Sequence, residues 1–190
     1  PNYNLPNDLG DYITKQLTDP EKKFVSANYL GQQVFVIIVD SKKDTNSTHE
    51  GLRKNGCTIC DSVNAAKVKQ ITVVNDTLKL SNSWALSEGI ALANYQFAHH
   101  KPSAKKNLNT LETILVNDSR LKEDAIKNLN IIVDATCKAR DLVNEPVNVL
   151  NAEGLSNAFK AMGKHAGFKV EVFTKGKIQQ LKMGGLLSVN

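Results

Sequence analysis

What this 190-residue chain lacks narrows its function before any motif is read. No run of 18 or more apolar residues occurs, so nothing in it reads as a membrane span, and its opening PNYNLPNDLG has no apolar core of a secretory signal. Three cysteines are an odd number, which argues against a disulfide framework and favours a reducing cytoplasm. The nucleophile elbow GxSxG, the phosphate loop GxxxxGKS/T and the dinucleotide fingerprint GxGxxG are all missing. No internal repeat or low-complexity tract interrupts the chain. What is present is ordinary for a soluble protein: 41% apolar and 23% charged residues, with room for one good core or for a domain of about 150 residues plus an extension. The formal charge of +5 permits weak attraction to nucleic acid, but a solvated lysine-rich surface accounts for it.

The candidate chemical motifs are incomplete. Cys57 and Cys60 have the CxxC spacing of zinc and redox sites, yet no second CxxC and no H-x₃₋₅-H supplies the other ligands, and Cys137 is far along the chain. A buried structural pair is the reading adopted, with redox or metal binding as the alternative. His49-Glu50 begins like HExxH, but Arg53 stands where the second histidine belongs. His99, His100 and Lys101 with Lys105 and Lys106 suggest a basic patch, yet adjacent histidines face different ways on a helix and no aromatic interleaves the lysines. A solvated helix end is the simpler account. Asp141 and Glu145, four apart on one helical face, have no metal-binding companion and read as structural hydrogen-bonding groups.

In chain order, residues 1–29 are polar and turn-rich, with a short helix expected around 11–17. VFVIIV at 34–39 predicts a central strand covered on both faces. Ser47 with Glu50 has the form of a capping box, and Gly56 is expected to close a short helix. Strands are expected at 71–74 and 113–116, around a helix whose apolar face is Leu86, Ile90, Ala93 and Phe97. Residues 101–109 read as a polar loop. A long helix follows from about Arg120, marked by Leu121, Ala125, Leu129, Ile132 and Thr136. Beyond Pro146, Asn151 is an N-cap, Leu155, Ala158, Phe159 and Met162 form a stripe, and Gly167 is a C-terminal cap. KVEVF at 169–173 alternates as a strand should, 178–181 suggests a short helix, and 186–189 reads as a last buried strand. Strands alternating with helices predict an α/β class. A chain that starts without methionine and stops within an apolar strand is expected to be a fragment, less soluble than a version trimmed near Glu145.

The organising stretch is 137–148, CKARDLVNEPVN, where a helix must end because Pro146 lacks an N–H and biases Glu145 toward extended backbone. Its run Arg140, Asp141, Leu142, Val143, Asn144, Glu145, Pro146, Val147, Asn148 resembles the joint of the leucyl aminopeptidases, cytosolic two-metal enzymes with the pattern ARDL-x-NEPPN. EGIALANYQF at 88–97, and VEVF followed by LKMGGLLSV within 169–189, are similar to the family as well. Val147 replaces a proline there, which loosens the turn.

The resemblance implies an N-terminal macro-like domain over 1–119, a mixed and largely parallel sheet sandwiched between helices. A long connecting helix and joint over 120–146 and the start of the catalytic domain over 147–190 follow. It implies a non-catalytic assembly or regulatory part of an enzyme that removes N-terminal residues from peptides. The paired divalent ions, zinc or manganese, would lie in motifs that nothing in 1–190 matches, so no catalytic or metal-binding residue is assigned and no cofactor is expected in this part. The joint residues Arg140, Asp141, Asn144, Glu145, Pro146 and Asn148 would hold the two domains together. The implied partners are the chain's own catalytic domain, a homo-hexamer and peptide substrates, in the cytoplasm and away from membranes. The alternative is a standalone macro-like module that binds a nucleotide, ADP-ribose or DNA.

Overall fold

The computed structural model describes residues 5–40, 44–100 and 108–189. It is a mixed α/β structure of two compact units, 1–138 and 139–190, and helix α4 runs across the boundary between them. Among the described residues no helix is long and apolar enough to cross a membrane.

The first unit opens with α1 (Asn7–Gln16), longer and earlier than the helix expected at 11–17. Leu9 and Ile13, one turn apart, form its buried stripe. A hairpin of β1 (Phe24–Tyr29) and β2 (Gln32–Ile37) follows, antiparallel with Phe24 opposite Ile37 and Tyr29 opposite Gln32. Its two-residue turn needs positive φ at both positions, which Gly31 adopts freely (φ 81°) and Leu30 (φ 48°) only under strain. The apolar run at 34–39, expected as a central strand, contributes residues 34–37 to this hairpin, a two-stranded antiparallel sheet among the described residues. It is apolar throughout because both faces are covered: Val34 and Val36 pack with Leu9, Ile13 and Val25, while Phe35 and Ile37 face the main core.

Helix α2 (Thr45–Ala65) overturns two expectations. Its N-cap is Asp44, whose carboxylate accepts from the Ser47 N–H at 2.9 Å, and Glu50 pairs instead with Lys54. Gly56 does not end the helix. It lies where α3 (Ser81–Ala93) crosses, and a β-carbon there would sit 2.7 Å from the Ile90 nitrogen; at Gly89 it would sit 2.5 Å from the Arg53 carbonyl oxygen. The two glycines let the helix backbones touch. Between α2 and α3 comes β3 (Gln70–Val74), and after α3 comes β4 (Thr113–Asn117), paired parallel to β3 from Gln70 opposite Thr113 to Val74 opposite Asn117. The core joins Ile59, Cys60 and Val63 of α2 to Val73, Ile90 and Leu111 of this βαβ stretch. Burying Ile90 alone contributes roughly 2–3 kcal/mol. The described residues thus form one antiparallel and one parallel two-stranded sheet, with the parallel pairing confined to β3 and β4.

Helix α4 (Glu123–Asn144) matches the expected long helix, but only Leu129 on it is buried and Ile131 is 64% exposed. In the second unit α5 (Ala152–Ala166) starts at Asn151, whose side chain accepts from the Gly154 N–H at 2.9 Å, and ends at left-handed Gly167. Helices α6 (Lys175–Gln180) and α7 (Gly184–Ser188) complete it. Two expected strands are not seen: 169–173 pairs with no strand among the described residues, and 186–189 lies largely within α7. A strand needs a neighbour for its hydrogen-bond ladder, and the described residues of 139–190 offer none.

Candidate functional site

The joint is built by the end of α4. The Glu145 N–H donates to the Asp141 carbonyl at 3.0 Å, so Asp141 and Glu145 share a face, and the ladder then stops at Pro146. The Pro146 carbonyl accepts from the N–H groups of Val149 (2.8 Å) and Leu150 (2.9 Å), folding the chain into the cap of α5. Arg140, Asp141 and Glu145 are half-buried; Asn144, Pro146 and Asn148 are exposed. Val147, at the position of the missing proline, is 80% exposed. All six candidate joint residues thus fall within one short helix-to-helix transition.

The other sequence candidates separate. Cys57 is exposed and Cys60 is buried, one turn apart on α2. The Cys60 thiol touches the side-chain nitrogen of Asn64 at 3.3 Å, and burial pushes its pKa up, which disfavours the reactive thiolate. Asn64 and Asn94 form a closed network: the Asn64 oxygen accepts from the N–H groups of Thr110 (2.6 Å) and Leu111 (3.0 Å), and Asn94 donates to the Leu111 carbonyl at 2.8 Å. Cys60 serves that network. His49 meets the Ser81 hydroxyl at 2.9 Å, and Arg53 forms a 2.6 Å ion pair with Glu88 across the α2–α3 crossing. His99 and His100 lie beside the Phe97 ring, beyond the end of α3, while Lys101, Lys105 and Lys106 fall outside the described residues.

The most developed polar cluster was not among the sequence candidates. At the C-terminal ends of the parallel strands, the Asp118 side chain is 2% exposed. It accepts from Arg120 Nε and Nη2, both at 2.8 Å, from the Ser83 hydroxyl at 2.9 Å and from the Asn75 amide at 3.0 Å. The Arg120 guanidinium, more than the serine or asparagine, holds this carboxyl well below the usual carboxylate range. Arg120 Nη1 also donates to the carbonyls of Thr77 (2.9 Å) and Leu78 (3.2 Å), pinning the β3–α3 loop. A carboxylate so fully engaged cannot exchange protons near neutral pH, and the cluster is a structural clamp. Its signal in the sequence is the repeated apolar-apolar-Asn-Asp at 73–76 and 115–118, which the parallel register brings side by side.

Among the described residues no three histidine, cysteine or acidic side chains stand close enough to hold a metal ion.

Comparison with known proteins first defines the class. The fold is that of a leucine aminopeptidase: a tomato leucine aminopeptidase mutant superposes with a TM-score of 0.74 at 16% identity, over 93% of this chain and 37% of that one. Residues 137–190, which include the joint, match the catalytic domain of the cytosol aminopeptidase family. A probable cytosol aminopeptidase of Clostridium perfringens is 32% identical over 163 residues, 81% of this chain and 33% of the relative. One from Chlorobaculum parvum is 62% identical over 52 residues, 27% of this chain and 10% of the relative. The chain belongs to the leucyl aminopeptidase family, and spans about a third of the length of the first relatives it matches.

Proposed function

We propose that this chain is the N-terminal, non-catalytic part of a cytosolic, metal-dependent leucyl aminopeptidase, together with the start of its catalytic domain. Residues 1–119 serve as a macro-like assembly or regulatory domain, 120–146 as connecting helix and joint, and 147–190 as the first catalytic-domain elements. The observation that carries this reading is the joint sequence, seated where α4 ends and inside the segment that matches the family. Arg140, Asp141, Asn144, Glu145, Pro146 and Asn148 fix how the domains are joined. The two metal ions and the peptide-cleaving groups belong to the further two-thirds of length that the relatives carry. Divalent ions bound there would supply Lewis-acid chemistry for hydrolysis of the peptide bond. The parent assembles as a hexamer and acts on peptides in the cytoplasm.

Purification of the native gene product from its own cells tests the proposal. A product more than twice the 20.8 kDa of this chain, with leucyl-substrate hydrolysis that a chelator abolishes, is expected. A native product of 20.8 kDa without such activity overturns it, and ADP-ribose or duplex DNA would then be the ligands to titrate.

A further inference from the structure

Among the described residues, the β1–β2 hairpin leaves one edge of β1 without a strand partner. The Ile38 N–H donates to the Lys23 carbonyl at 2.8 Å. With the alternation of an antiparallel ladder, this directs the main-chain groups of residues 23, 25, 27 and 29 toward β2. Those of Phe24, Ser26 and Asn28 therefore point away from it, and among the described residues no strand lies on that side. Unpaired edges are templates for a further strand.

This edge borders a cavity of about 370 Å³, lined by residues 26–29 of β1 and by Asp8, Leu9 and Tyr12 of α1. The arrangement of an open strand edge beside a helix suits an extended peptide: the edge supplies a ladder, and the helix supplies a wall for alternate side chains. The wall here is part apolar and part anionic. One Asp8 oxygen accepts from the Leu9 N–H (3.0 Å) and the Tyr29 hydroxyl (3.1 Å), while its second oxygen accepts no hydrogen bond from the described residues.

We propose that this groove docks an extended segment of another protein, which adds as a strand to the free edge of β1 and sets a lysine or arginine side chain against Asp8. Charge complementarity selects this occupant: Asp8 lines the groove in the acidic first turn of α1, Asp11 follows one turn on, and the basic residue Lys15 stands at the other end of the helix, so a cationic side chain complements the groove. The site is independent of the aminopeptidase reading, because its groups lie in α1 and β1 alone.

The test uses the full chain and a labelled peptide, acetyl-Thr-Val-Lys-Val-Thr-amide, followed by fluorescence anisotropy and amide NMR. Binding is expected to shift the Ser26 and Asn28 amides and slow their exchange. Asp8→Asn is expected to weaken the lysine peptide about tenfold, as loss of a charge-assisted hydrogen bond does, and to leave its norleucine analogue unchanged. N-methylation of both peptide valines, which removes ladder donors without touching the protein, is expected to abolish binding. Absence of binding, equal binding of the N-methylated peptide, or shifts centred elsewhere overturns the proposal. So does a peptide-free dimer in which the Ser26 and Asn28 amides are already protected, since the second copy would then own the edge.

Discussion

Units 1–138 and 139–190 both have capped or amphipathic helices, yet among the described residues only the first has a core. Every buried large apolar side chain, from Leu9 to Leu129, lies in the first unit, whereas Gly163 is the one buried residue among the described part of the second. The stripe on α5 is laid out as helical spacing demands, but Phe159 on it is 46% exposed, and Phe168, Phe173, Leu181 and Leu186 stand similarly open. Local signals suffice to wind a helix. They do not suffice to bury it, because most helical stability comes from what covers the apolar face.

The strongest way to break this contrast is at the close approaches. Gly89→Ala forces a β-carbon against the Arg53 backbone, and is expected to destabilise the first unit by about 3 kcal/mol or more, read in urea by the fluorescence of Trp84 on α3. Gly163→Ala meets Val170 at 2.6 Å in the second unit and is expected to leave the Trp84 transition within about 0.5 kcal/mol. Equal losses would mean that the two units unfold as one.

Next in size is the Asp118 clamp. Asp118→Asn breaks a buried, charge-assisted network and is expected to cost about 2–3 kcal/mol by the same measurement. The carboxyl's native pKa is depressed, so its contribution is complete above the unfolded carboxylate value of about 3.9 and is lost as pH falls below it toward the native value. The variant should accordingly lose less stability than the wild type between about pH 4 and pH 2.

A smaller effect concerns association. The exposed apolar side chains of 139–190 are expected to make the full chain self-associate more than a version trimmed after Glu145, by light scattering at matched concentration. Equal monodispersity would show that this surface is inert. Smallest of all, Ser87→Ala removes a buried hydroxyl that has no hydrogen-bond partner among the described residues, and is expected to be neutral or stabilising by up to about 1 kcal/mol.

Elements whose cause is local were legible: the strands near 71–74 and 113–116, the long helix to Asn144, and α5 between Asn151 and Gly167. The joint was legible for the same reason, since Pro146 interrupts the ladder whatever surrounds it. Gly56 was misread because a glycine that ends a helix and one that admits a neighbouring helix look identical in sequence; only the 2.7 Å approach of α3 distinguishes them. Strand β1 was hidden by its mixed composition, and the Asp118 clamp by the distance in sequence between Asn75, Ser83 and Asp118.

By itself the sequence determined the α/β class, the limits of α5, the end of α4 and the turn at 144–148, because caps, prolines and apolar periodicity act within a few residues. Tertiary structure alone decided that 34–37 joins a hairpin, that 169–173 finds no strand partner among the described residues and that 186–188 coils into α7. A strand exists only through its neighbour, and which neighbour is available is settled by contacts remote along the chain.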